Sequence, residues 1–307
     1  MRYKGFVDLH THGVKSYDTK TADHRDILKA AELQAKAGVA AILPTIYAAP
    51  LDMMRENMEA VRKAMEIQQG ETQNRGAASG RPIIRHFGTS VILGLHLEGP
   101  FLNPLRCGAL DKDSFIRPTV ASLEELIDGY EEIIKIITLA PEMPGALSII
   151  KKCCDKGIKI HMGHSDATYK EAERGEKAGA TGITHLFNAM RPFHHREPGL
   201  AGFGLMDEGM YVEVIADGVH LHKDVLKFLF RIKRHDRILL VSDSVKSTPK
   251  EGTPSCKERG VLTGSDLTLA DSAGVLEKIG ICGEAIMKAG VLNPGRYLSA
   301  PSLVRRQ

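Results

Sequence analysis

The chain has 307 residues, 43% of them hydrophobic and 26% charged, the balance of a globular protein large enough to bury a substantial core. A formal net charge of only +3, with basic residues spread along the chain, argues against nucleic acid as a partner, which needs a concentrated basic face. There is no Trp and little Tyr or Phe for base stacking, and no run reaches the ~20 apolar residues of a membrane helix.

The chain opens on MRYKGFVDLHTH, which lacks the apolar stretch of a secretory leader. Its cysteines, Cys107, Cys153, Cys154, Cys256 and Cys282, are odd in number and include an adjacent pair poorly placed to bridge. They read as free thiols in a reducing compartment, so the expected location is the cytoplasm.

In chain order, short β-rich runs alternate with amphipathic stretches. A strand is expected over Phe6–His12, then a helix over His24–Lys36 that buries Ile27, Ala30, Ala31 and Ala35 and stops at Gly38. A strand at Ala40–Ile46 leads to a helix over Leu51–Gln68, whose Met54, Met58, Val61, Ala64 and Met65 form a core-facing stripe. Glu71–Pro82 reads as a loop. Next come strand Val91–Glu98, helix Leu123–Ile127, strand Ile133–Ala140, helix Ala146–Asp155, strand Lys159–His164 and helix Tyr169–Ala178. Strands Gly182–Phe187 and Tyr211–Ala216, helix Asp224–Arg234 and strand Ile238–Ser242 complete the alternation. Thr248–Leu262 reads as a flap-like loop and Ile281–Ala289 as a last helix. Eight Val/Ile/Leu-rich strands predict an α/β fold, a (β/α)8 TIM barrel in one domain over residues 1–307, with an open doubly wound sheet as the alternative.

A barrel of this kind carries its site at the C-terminal strand ends. Those ends present His10 and His12, Glu98, His164, His185, Asp217 with His220, and Asp243. The period of two places His10 and His12 on one strand face, where two imidazoles can share a metal, with Thr11 on the other. Asp8, on their face, is expected to orient one imidazole. Glu98 ends an apolar strand, where a carboxylate is costly to bury without a cation. His96 is expected to pack in the core or to support a ligand from behind, and His161 to point away from the axis. Asp243 can take a proton from water and pass it to a leaving amine.

With HTH, HLEGPF, GHS, THLFNAM, REPGLAG, ADGVH and VSDS in this order, the chain resembles N-acetylglucosamine-6-phosphate deacetylases of the amidohydrolase superfamily, from Phe6 to about Leu298. The resemblance implies one metal held by Glu98, His164 and His185, and a second held by His10 and His12 with Glu98 bridging. It makes Asp243 the catalytic acid/base and assigns substrate binding to Asn188, the Ala189 backbone and His220. Arg196 matches an arginine that reaches the phosphate from a neighbouring subunit, so a homodimer is implied. Three departures stand out. Leu110 occupies the position of a histidine that polarises the acetyl carbonyl; the small β-sandwich built from both chain ends is not expected here; and the loops HGVKSYDTKT and SDSVKS are worded differently.

The expected chemistry is metal-dependent hydrolysis of an N-acetyl amino-sugar 6-phosphate to the amino sugar phosphate and acetate. One or two divalent ions would serve, zinc first, with iron, manganese or cobalt suiting the same donors. The alternatives are an amidohydrolase for N-acetylgalactosamine 6-phosphate or a cyclic amide, and a non-catalytic metal- or sugar-phosphate-binding homologue.

Overall fold

Parallel strands buried on both faces need a helix to cross back between neighbours, and the chain supplies one after most strands. The computed structural model describes residues 5–76, 88–247, 255–258 and 261–299. Its main sheet runs in chain order through β1 (Phe6–Thr11), β2 (Val39–Tyr47), β3 (Leu95–Glu98), β4 (Ile134–Leu139), β5 (Lys159–Met162), β6 (Gly182–Ile183), β7 (Tyr211–Ile215) and β8 (Ile238–Val241). The short strand Val91–Ile92 pairs beside β2. The ring closes just beyond the last strand: Asp243 N–H donates to His10 O at 2.9 Å, and His12 N–H donates to Ser244 O at 2.7 Å. These bonds remove the open-sheet alternative and establish the barrel.

Around it lie α1 (His24–Lys36), α2 (Leu51–Gly76), α3 (Val120–Ile127), α4 (Ala146–Asp155), α5 (Tyr169–Ala178), α6 (Gly199–Met206), α7 (Lys223–Ile232), α8 (Leu269–Lys278), α9 (Gly283–Met287) and α10 (Asn293–Tyr297). Asp23 caps α1 through the Arg25 N–H, and the helix ends at Gly38, whose φ of +86° is the left-handed turn expected there. α2 runs past its expected end at Gln68 to Gly76, so the first half of the expected Glu71–Pro82 loop is helical and residues 77–82 lie outside the described residues. Met54, Met58, Val61 and Ala64 of the expected stripe are buried, and Met65 is half-buried against the core.

α6, α8 and α10 were not legible as helices. GLAGFGLM in α6 is apolar on every side, with nearly every residue buried, so it has no polar face to set a period. The expected strand ends also move. β5 stops at Met162 and β6 at Ile183, because the chain turns at His164 (φ +46°) and His185 (φ +29°). Of the Thr248–Leu262 segment, Ser255–Glu258 pairs antiparallel with Val261–Ser265 as a β-ribbon; residues 248–254 and 259–260 lie outside the described residues.

The main core fills the layer between barrel and helices, with Phe6, Ile27, Ile42, Met54, Met58 and Leu97 fully buried. Inside the barrel a smaller plug of Val7, Leu9, Ala41, Leu43, Ile136, Ile215, Leu239 and Val241 is completed by Tyr297 of α10. Above that plug the interior is polar. No helix among the described residues is long and apolar enough to cross a membrane.

Candidate metal centre

β1 delivers His10 and His12 from one strand face, and their Nε2 atoms meet at 3.1 Å. β3 ends in Glu98, whose Oε2 lies 3.2 Å from His12 Nε2 and whose Oε1 lies 3.5 Å from His10 Nε2. The same Oε1 is 3.0 Å from both His164 Nε2 and His185 Nε2, and those two nitrogens are 3.1 Å apart. Asp243 Oδ1 faces His10 Nε2 at 3.4 Å and His12 Nε2 at 3.5 Å. Two of the three donor triplets among the described residues use these atoms, His10–His12–Asp243 and Glu98–His164–His185, and the third is His10–His96–Glu213; in each the ligand atoms lie within 4.8 Å of one another.

Backbone conformation enforces this convergence. His164, His185 and Asp243 all have positive φ (+46°, +29° and +48°), a region that costs L-residues energy and is held only where surrounding contacts demand it. At Asp243 the demand comes from the two neighbours that pin it, His10 O accepting its N–H and Ser265 N–H donating to its carbonyl.

Three of the four outward ring nitrogens are committed, while His185 Nδ1 is buried without a hydrogen-bond partner among the described residues. His12 Nδ1 donates to Thr45 O at 3.0 Å, His164 Nδ1 to Arg106 O at 3.0 Å, and His10 Nδ1 to Glu213 Oε2 at 2.9 Å. With the Nδ1 hydrogens placed there, the Nε2 atoms face one another, an arrangement that a cation resolves. Charge points the same way. Burial alone would push His10 down, but Glu213, Glu98 and Asp243 raise it to about 10. Glu98 is held well below the usual carboxylate range, because the charge of His10 and His164 and the His12 contact overcome its burial. The donor set, all nitrogen and carboxylate oxygen, suits a divalent ion such as zinc, iron, manganese or cobalt.

Above the donors opens a cavity of about 520 Å³, a size for one small molecule, whose lining includes Tyr47, Leu110, Asn188, Ala189, His220 and the ribbon residues Val261–Gly264. His220 Nδ1 bonds Asp217 Oδ2 at 2.7 Å; burial lowers the imidazole's pKa, but this bond and charge raise it overall. Asn188 and Ala189 sit on the turn after His185, and Leu110 on a turn whose Gly108 packs against Ala189 and His164. Arg196 is exposed and is not brought to the cavity.

Two expectations need correction. Asp8 does not orient an imidazole: its carboxylate accepts from Ser242 Oγ and from the Ser242 and His10 backbone N–H groups. Glu213, passed over in the sequence, takes that part. A glutamate in the middle of the apolar run YVEVI is the same signal that marked Glu98. His161 does not point away from the axis; it is fully buried inside the barrel with Nδ1 3.1 Å from Glu213 Oε1, because the strand ends before His164 and the two histidines need not share a register. His96 packs in the core as expected, against Leu9 O and Thr138 Oγ1.

The amidohydrolase family model matches residues 4–291. The N-acetylglucosamine-6-phosphate deacetylase of Lysinibacillus sphaericus is 30% identical over 79% of this chain, which spans only 58% of that relative. The N-acetylgalactosamine-6-phosphate deacetylase of Escherichia coli is 29% identical over 97% of this chain and 78% of its own length. A variant of the Mycobacterium smegmatis N-acetyl-D-glucosamine-6-phosphate deacetylase, solved in complex with N-acetyl-D-glucosamine-6-phosphate, superposes with a TM-score of 0.80 at 26% identity, covering 97% of this chain and 78% of that one. The closed parallel barrel, the convergent histidines and the match over nearly its whole length establish that the chain belongs to the amidohydrolase family.

Proposed function

We propose that the chain is a metal-dependent deacetylase of an N-acetyl amino-sugar 6-phosphate, N-acetylglucosamine 6-phosphate in the first instance. The observation that carries this reading is the convergence of four histidine Nε2 atoms and Glu98 at the floor of a cavity rimmed by Asp243. Glu98, His164 and His185 would hold one ion, and His10 and His12, with Asp243 facing them, a second. A divalent ion there supplies a Lewis acid for the acetyl carbonyl and makes water acidic enough to lose a proton near neutral pH.

The residues do the rest. Asp243 Oδ1 takes the proton of the attacking water and returns it to the departing nitrogen, so the amide C–N bond breaks to give amine and acetate. His220, Asn188 and the Ala189 N–H orient the sugar. Leu110 offers no hydrogen-bond donor at its place in the lining, and this supports a centre with both donor triplets in use. The described lining contains no Lys or Arg, so the phosphate must find its cation elsewhere. Exposed Arg196, supplied across a homodimer, fits that need, since a guanidinium fork suits a phosphate dianion. Cys107, Cys153, Cys154 and Cys282 are free, which supports a reducing, cytoplasmic setting.

The test is amine release from N-acetylglucosamine and N-acetylgalactosamine, each with and without the 6-phosphate, by protein loaded with Zn, Fe, Mn or Co. Release from the phosphorylated glucosamine derivative is expected to be fastest. Release from none at full loading would sink the reading, and preference for the galactosamine epimer would select the second, which the Escherichia coli relative favours.

A further inference from the structure

Behind His10, away from the cavity, a line of buried polar groups runs down the barrel axis to its opposite end. Glu213 Oε2 accepts His10 Nδ1–H at 2.9 Å and also the backbone N–H of His185 at 3.3 Å. Glu213 Oε1 faces His161 Nδ1 at 3.1 Å. His161 Nε2 lies 2.9 Å from the Tyr297 hydroxyl, which lies 2.7 Å from Thr181 Oγ1. His10, His161 and Glu213 are fully buried, and Tyr297 is 4% exposed. The slot for the His161 ring exists only because residue 182 is glycine: an added Cβ there would lie 2.4 Å from His161 Nε2.

The direction of the hydrogens follows from chemistry. An ionised carboxylate only accepts, so His10 Nδ1 presents its hydrogen to Glu213 Oε2, while His161 Nδ1 sits beside Oε1 at ion-pair distance without hydrogen-bond alignment. Beyond it, His161 Nε2 and the Tyr297 hydroxyl share one hydrogen bond, and the Tyr297 oxygen shares another with Thr181 Oγ1. At the other end His10 keeps a bare Nε2, the form that ligates a metal. Ligands of metals commonly gain orientation and basicity from such a carboxylate, and losing it typically costs 10–100-fold in affinity.

We propose that Glu213, fixed by His161 and Tyr297 behind it, is the positioning residue that sets the affinity of the His10–His12–Asp243 triplet for a divalent cation. The inference rests on reading that triplet as an ion site. Glu213 touches no side chain of His164 or His185, and the one hydrogen bond it takes from that triplet, the His185 backbone N–H, is one that an amide oxygen at 213 can still accept, so Glu213→Gln concentrates the effect on the His10 triplet.

The experiment uses the full chain, stripped and reloaded with Co(II), measuring bound ions per chain after gel filtration and affinity by chelator competition. Wild type is expected to hold two ions. Glu213→Gln is expected to hold the Glu98–His164–His185 ion at unchanged affinity and the other 10–100-fold more weakly. Two ions in both proteins at equal affinities would overturn the inference while leaving the two-ion reading intact. One ion or none in wild type would overturn that reading and the inference with it. Should Glu213→Gln fail to fold, Tyr297→Phe removes only the far hydroxyl. Weaker Co(II) binding at the same triplet is expected from it, and unchanged binding overturns the inference.

Discussion

Replacing Asp243 by Asn separates chemistry from architecture at this site. The amide has the carboxylate's shape, and Asn is among the few residues that accept the left-handed φ of +48° found there. The backbone bonds to His10 O and from Ser265 N–H do not involve the side chain, so barrel closure survives. What is lost is a group that can take and return a proton. Such groups contribute about 10²–10⁴-fold, which at 1.36 kcal/mol per tenfold is about 3–5 kcal/mol of barrier. We expect Asp243→Asn to keep its Glu98–His164–His185 ion and its melting temperature while kcat for amine release falls by two to four orders of magnitude. The assay is initial-rate amine release at saturating substrate, with metal analysis and a thermal melt on the same preparation. A mutant loaded with that ion and with kcat within threefold of wild type would remove Asp243 from the proton-transfer role.

Stripping the metal should leave a pH-sensitive protein. His10, raised to about 10, stabilises the fold fully below its unfolded value of ~6.5 and loses that contribution as pH climbs toward 10. Glu98 and Glu213, held low, contribute above ~4.5 and lose it as pH falls further. The metal-free melting temperature should therefore peak between about pH 4.5 and 6.5; a flat profile from pH 5 to 10 contradicts the charge balance described. Gly163→Ala would put a Cβ 2.8 Å from Thr184 Cβ and 3.0 Å from Thr138 Cγ2, between strand ends with no room to part. Urea unfolding should show a loss of about 1–3 kcal/mol. Arg196→Ala should raise KM for the phosphorylated substrate by tenfold or more, with little change in melting temperature or in rates on the unphosphorylated sugar. Equal effects on both substrates would end the case for Arg196 as a phosphate ligand.

The sequence revealed the barrel through eight buried strands, and most of the site through where those strands end. Residues at the cavity floor were legible because polar groups closing apolar runs demand partners. Glu213 carries the same signal in mid-strand, where a reading of strand ends alone does not reach it. His161 was misjudged by extending strand periodicity through Gly163, where the backbone breaks register. α6 is hidden by its uniform apolarity.

The seam that closes the barrel has a temporal meaning. His10 and His12 lie on and just after the first strand, whereas their facing aspartate and the hydrogen bonds that fasten them come from residues 243 and 244. Until that late segment leaves the ribosome, the first strand has a bare edge and an incomplete donor set. The Glu98–His164–His185 triplet, in contrast, is complete in the chain by residue 185. A growing chain thus has all three donors of one triplet before it can finish the other, and it cannot finish the other without sealing the barrel.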